Sequence, residues 1–203
     1  MSECILRGPC APLLQDNIDT DLIIPSSCIR SVSKYGHGDA LFAPLRYHPD
    51  KTPNEAFILN QPPYNRAVFL VAGRNFGCGS SREFAVWALR DFGIKAIFAE
   101  SFGTIFRENC LENGLYPVCL NPRDQARLAS ITNKEEVVFN TEALQLHFAG
   151  QCLTVNVNGQ LKNPEARRDA MTVSRGYAKW RNRDENNRPW LYQRDQDVGR
   201  RSG

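Results

Sequence analysis

The stretch Ala67-Val-Phe-Leu-Val-Ala-Gly-Arg-Asn-Phe-Gly-Cys-Gly-Ser-Ser-Arg-Glu-Phe-Ala-Val-Trp-Ala-Leu-Arg-Asp-Phe92 decides the fold. Ala67–Ala72 is apolar without alternation, the pattern of a strand buried on both faces. Arg82–Phe92 places Phe84, Trp87, Ala88 and Phe92 at helical spacing. A strand followed at once by a helix, with a glycine-rich connection, predicts one half of a βαβ unit.

The same alternation continues downstream. Lys95–Ala99 reads as a second strand, and Thr104–Asn113 as a helix closed by Gly114, since glycine is favoured just past a helix end. Leu115–Leu120 reads as a third strand and Pro122–Ser130 as a short helix opened by proline. The expected class is therefore α/β, with a mostly parallel central sheet and crossover helices. Val137–Asn140, Ala143–Phe148 and Cys152–Val157 read as short antiparallel strands. Upstream, residues 1–30 form two short apolar stretches around the polar turn Gln15–Asp21. The segment Ile29–Tyr64, rich in Pro, Gly, Asn and Ser, shows no period, and long irregular segments in compact domains tend to serve function.

A chain of 203 residues suits one domain, here residues 1–160, plus a basic C-terminal extension, 161–203. Residues 162–203 carry 11 Lys/Arg against 6 Asp/Glu, a net +5, while the whole chain is +3. The basic character belongs to the extension. The N-terminus shows no export signal, and no apolar run approaches the ~20 residues that span a bilayer, so a cytoplasmic protein without membrane contact is expected. The seven cysteines, at 4, 10, 28, 78, 110, 119 and 152, include no closely spaced pair. Zinc and iron–sulfur sites commonly use such pairs, so the expectation is reduced thiols and no metal held by this chain.

Gly73–Glu83 carries the chemistry. Its three glycines allow sharp turns and close approach of backbone to a ligand. The following helix N-terminus favours an anion, and Arg82 adds a planar fork suited to a carboxylate or phosphate. The pattern departs from the dinucleotide loop at Arg82, from the P-loop in lacking lysine, and from the nucleophile elbow at Gly79. Ser80 and Glu83 also have capping-box spacing, so Ser80 is either a helix cap or a ligand group.

Asn75-Phe-Gly-Cys-Gly-Ser-Ser-Arg-Glu83 resembles the active-site loop of the 3-isopropylmalate dehydratase small subunits, the swivelling domain of the aconitase superfamily. Asn17–Pro25, Tyr35–Phe42, Ser101–Phe106 and Asn113–Val118 are similar to four further blocks of that family. The resemblance implies a β/β/α swivelling domain closing over a large Fe–S subunit, which carries the [4Fe–4S] cluster and binds a hydroxy diacid substrate. It implies Ser80 as the general base, with Ser81 and Arg82 binding substrate, Arg82 through a carboxylate. Asp21 is implied as support for the catalytic serine, although with Asn17 and Asp19 it would serve equally well as a turn residue.

The chain departs from the family at Phe84, where relatives commonly have histidine, at Lys34, where they often have arginine, and across Thr172–Gly203. Pro25–His37 matches the loop that discriminates substrates. It offers apolar Cys28, Ile29 and Val32 and charged Arg30 and Lys34, so both an isopropyl group and a distal carboxylate remain open. His37, His48 and His147 lack ligand spacing and are expected to be structural or surface residues. Isopropylmalate is the leading substrate, with dimethylmalate, citramalate and homocitrate as rivals. Nucleic-acid binding by the extension is a weaker alternative, because six acids interrupt its arginines.

Overall fold

The structure, a computed structural model, describes residues 5–29, 33–131 and 135–157. Its strands are β1 (Ile5–Gly8), β2 (Cys10–Leu13), β3 (Phe69–Ala72), β4 (Ala96–Ala99), β5 (Tyr116–Cys119), β6 (Val137–Asn140), β7 (Gln145–Phe148) and β8 (Gln151–Thr154). The helices are α1 (Thr20–Ile23), α2 (Ala43–Arg46), α3 (Glu83–Phe92), α4 (Thr104–Glu112) and α5 (Pro122–Ala129).

β3 and β4 are buried at every residue because they occupy the middle of a parallel sheet of order β2-β3-β4-β5. Alternation along these strands divides the apolar side chains between two cores. Leu70, Ala72, Ile97 and Ala99 face a core shared with Ala85, Val86, Ala88, Leu89 and Phe92 of α3. Phe69, Val71, Ala96 and Phe98 face the other way, onto Val137, Phe139, Leu146 and Phe148 of a second sheet. That sheet is antiparallel, of order β1-β6-β7-β8. The three layers are thus helices, parallel sheet and antiparallel sheet, the β/β/α arrangement that the resemblance implies.

The ladders are shorter than the apolar runs. Ala67 and Ile94 are buried just outside β3 and β4, and Val155 and Val157 are buried beyond β8. Burial extends past pairing, and the sequence pattern registers burial. α3 likewise begins at Glu83, with Arg82 as its N-cap. The segment from Ile29 to Tyr64 belongs to the crossover from β2 to β3. Among the described residues that crossover is made of α1, α2 and four short 3₁₀ turns. Leu41, Phe42 and Leu59 are fully buried there, so much of the crossover builds the helical core. Residues 161–203, the expected extension, lie outside the described residues.

Candidate active site

Three strand ends converge at one edge of the parallel sheet. The chain leaving β3 runs between the chains leaving β2 and β4 and is hydrogen-bonded to both. On one side Arg74 O accepts from Asn17 N at 2.8 Å, Gly77 N donates to Ile18 O at 2.7 Å, and Thr20 N donates to Cys78 O at 3.0 Å. On the other, Phe76 N donates to Ser101 O at 3.0 Å and Gly103 N donates to Phe76 O at 2.9 Å. Asp16 accepts from Arg74 N at 2.7 Å and pairs with its guanidinium at 2.9 Å. Carboxyl ends of parallel strands are where open sheets bind ligands.

Gly77 is required at the base of this loop. Its φ is +73°, and a Cβ there would lie 2.2 Å from the Phe106 ring. Gly79 adopts φ +94° in roomier surroundings. The backbone is therefore closely packed at Phe76–Gly77 and open from Gly79 to Ser81, where all three residues are exposed.

Ser80 does not cap α3. The cap residue is Arg82, and its side chain makes no cap hydrogen bond. The carboxylate of Glu83, which the capping-box reading would turn back to Ser80, instead accepts from Asn113 Nδ2 at 3.0 Å. Ser80 Oγ meets the Thr20 hydroxyl at 3.2 Å, and Ser80 O accepts from Thr20 Oγ1 at 3.1 Å. Thr20 is fully buried. Sequence reasoning passed over it, although it directly precedes Asp21 in the family-like Thr-Asp pair.

Asp21 forms an ion pair with Arg82. The turn duties fall to its neighbours: Asp19 caps α1 by accepting from Leu22 N at 2.7 Å, and Asn17 takes the left-handed conformation at φ 54°. Asp21 is thus tied to Arg82, two residues beyond Ser80. With its partner carboxylate on one side, the guanidinium still has donors for a second carboxylate. Ser81 is exposed beside it.

Lys34 is exposed, and its ammonium stands 5.8 Å over the Trp87 ring. His37 is 3% exposed, in keeping with a structural role. Its N–H donates to Asp91 Oδ2 at 2.7 Å, its Nε2 meets Ser33 O at 2.7 Å, and its ring packs edge-on against Phe84 at 5.2 Å. Phe84 thus fills an aromatic contact. Burial raises the carboxyl of Asp91 above its ordinary range, partly offset by the N–H groups of His37 and Gly36. Arg30 and Val32 lie outside the described residues.

The described cysteines are separate free thiols. Burial pushes the thiols of Cys10 and Cys110 far up, so both stay protonated. Among the described residues no group of three or more His, Cys, Asp or Glu could hold a metal ion. No helix among them is long and apolar enough to cross a membrane.

Residues 4–123 match the family described as the aconitase C-terminal domain. A 3-isopropylmalate dehydratase small subunit from Cupriavidus necator is 58% identical over 116 residues, 56% of either chain. One from Sinorhizobium medicae is 46% identical over 144 residues, 70% of this chain and 72% of that one. The crystal structure of 3-isopropylmalate dehydratase (LeuD) from Methanocaldococcus jannaschii superposes with a TM-score of 0.59 at 27% identity, covering 87% of this chain and 95% of that one. The matched stretch spans a little over half the length of the Cupriavidus relative. The match takes in β2 to β5 and every strand end at the site, and the chain belongs to the aconitase C-terminal domain family.

Proposed function

We propose that this chain is the small subunit of a cytoplasmic hydro-lyase that converts 2-isopropylmalate to 3-isopropylmalate by dehydration and rehydration, a step of leucine biosynthesis. The observation that carries the reading is an exposed serine hydroxyl beside a paired arginine, at the uncapped N-terminus of α3. The relatives, 3-isopropylmalate dehydratase small subunits, support the same substrate. The [4Fe–4S] cluster of the reaction is assigned to a large partner subunit, because the described cysteines stand apart and two are buried. That group would supply Lewis-acid activation of the substrate hydroxyl.

This chain's share is proton transfer and orientation. Ser80 Oγ takes the proton from the carbon next to the hydroxyl-bearing one as hydroxide leaves; on rehydration the proton goes to the carbon that lost the hydroxyl and hydroxide adds to its neighbour. A free serine is far too weak an acid to act as an alkoxide, so the anion must be favoured by its surroundings. The α3 N-terminus and the Arg82 charge both act in that direction. Arg82 holds one carboxylate of the diacid, with Asp21 fixing the guanidinium. Ser81 donates to the substrate, and Lys34 and Arg30 are assigned to its second carboxylate.

The test is reconstitution. The purified chain, inert alone, should turn over 2-isopropylmalate when mixed with an Fe–S large subunit. Turnover by the chain alone overturns the division of labour. A higher kcat/KM for dimethylmalate, citramalate or homocitrate would replace isopropylmalate as substrate while leaving the chemistry intact.

A further inference from the structure

Glu83, Trp87 and Asp91 are spaced four residues apart along α3, so they line one face of the helix. All three hold something outside α3. Asp91 accepts from His37 N, and the His37 ring reaches back to Ser33 O. The two ends of the segment Ser33–His37 are thus fixed to each other and to α3, with Lys34 between them. The Lys34 ammonium lies over the indole of Trp87 at 5.8 Å, within the reach of a cation–π contact.

The indole is itself held in place. Its Nε1 donates to Asn113 Oδ1 at 3.0 Å, and Asn113 Nδ2 donates to Glu83 Oε1 at 3.0 Å and Asn109 O at 2.9 Å. Phe84 packs edge-on against the indole at 4.7 Å, and the His37 ring stacks on it at 6.3 Å. Trp87 is 8% exposed and Asn113 5%. Lys34, by contrast, is an exposed side chain with much rotamer freedom. A ring held by these contacts narrows that freedom before any ligand arrives, and such pre-organisation improves binding without a new contact to the ligand.

We infer that Trp87 is a positioning residue that seats the Lys34 ammonium on its ring face and, through Asn113 and Glu83, ties that seat to the first turn of α3, where the Ser80–Arg82 loop ends. The cation on the crossover segment and the arginine at the helix start are then held at a fixed separation, as two grips on the two carboxylates of one diacid. This inference rests on the reading of Lys34 as a substrate-binding residue.

Two measurements test it. The first uses the chain itself: reductive methylation of lysines, followed at Lys34 by mass spectrometry. Trp87→Leu removes the ring face and should speed labelling of Lys34 by roughly two- to fivefold. Trp87→Phe keeps a ring and should lie between, with circular dichroism and thermal melting showing that both variants fold. Equal labelling in all three proteins overturns the seat.

The second uses the chain reconstituted with its Fe–S partner and isopropylmalate. Trp87→Leu should raise KM by roughly two- to tenfold with kcat within about threefold. Lys34→Met should raise KM at least as much, and the double variant should be no worse than Lys34→Met alone. Effects that multiply in the double variant show that Trp87 acts apart from Lys34 and overturn the inference. An unchanged KM in Lys34→Met also overturns it, while wild-type turnover keeps the functional proposal standing. If the wild-type complex shows no turnover, the functional proposal fails and the labelling decides the seat by itself.

Discussion

Replacing Ser80 by alanine separates chemistry from architecture, because the structure makes the architectural cost small. The Ser80 side chain is exposed and, among the described residues, hydrogen-bonds only to the Thr20 hydroxyl, at 3.2 Å. The backbone contacts of Ser80, its carbonyl accepting from Thr20 Oγ1 at 3.1 Å and from Arg82 N at 2.9 Å, do not need the side chain. No helix cap is lost, since the N-cap position of α3 is Arg82 rather than Ser80. One neutral hydrogen bond contributes about 0.5–1.5 kcal/mol, and less when exposed to water. In a domain of this size that shifts Tm by roughly 1–6 °C, small against a total stability of about 5–15 kcal/mol. On the proposed role, removing the group that carries the proton should lower kcat by about 10²–10⁴-fold, or about 3–5 kcal/mol of barrier. Calorimetry on the chain and initial rates with saturating large subunit read the two quantities independently. A kcat within about tenfold of wild type, with Tm little changed, refutes the general-base role. An unfolded Ser80→Ala chain would mean that the loop depends on this hydroxyl in a way its contacts do not explain.

Three further changes test neighbouring parts of the argument. Arg82→Lys keeps the charge but loses the fork that can hold Asp21 and a substrate carboxylate together, so kcat/KM should fall by roughly ten- to a hundredfold; a change within about twofold refutes the carboxylate role. Gly77→Ala places a methyl 2.2 Å from Phe106 at φ +73°, and denaturant titration should show a loss of about 2–4 kcal/mol; a loss below about 1 kcal/mol would mean that the loop base can shift. For Asp91, burial raises the folded-state pKa above the ordinary carboxylate value. The stability this contributes is present below the unfolded value and is lost as pH rises through the folded one. Asp91→Asn keeps an oxygen for His37 N and cannot ionise, so its stability relative to wild type should improve from about pH 4 to about pH 7; a difference independent of pH refutes the assignment.

The parallel sheet was legible because strands buried on both faces carry continuous apolar runs, as in Ala67–Ala72, and the helices that follow have clear punctuation at Gly114 and Pro122. β1 was not legible. Its four residues include Arg7, and it joins the antiparallel sheet by pairing with β6, whose partner residues lie far downstream. Nothing local encodes so distant a partner. The same limit explains the helix start. Ser80 and Glu83 have the spacing of a capping box, yet Asn113 at the end of α4 takes the Glu83 carboxylate. Spacing proposes a partner, and the tertiary fold can supply a better placed one. Asp21 shows the converse case. Sequence left it between turn residue and catalytic support, and the turn is completed by Asn17 and Asp19 without it.

The form of the loop bears on how the reaction is shared between chains. Its base is bonded to the neighbouring strand ends on both sides and cannot take an alanine at Gly77 without a shift. Its tip, Gly79 to Ser81, stands in water. Proton abstraction from carbon by a serine alkoxide requires a site from which water is excluded, since water would quench the base. An exposed tip on a rigid base meets that requirement if a second surface closes over it. Flexibility in the tip would lose the alignment with Arg82, and burial within the chain would deny entry to a diacid. A fixed, exposed serine therefore supports the proposal of a two-chain enzyme, in which this chain would bring the base and the carboxylate grip to a metal centre held elsewhere.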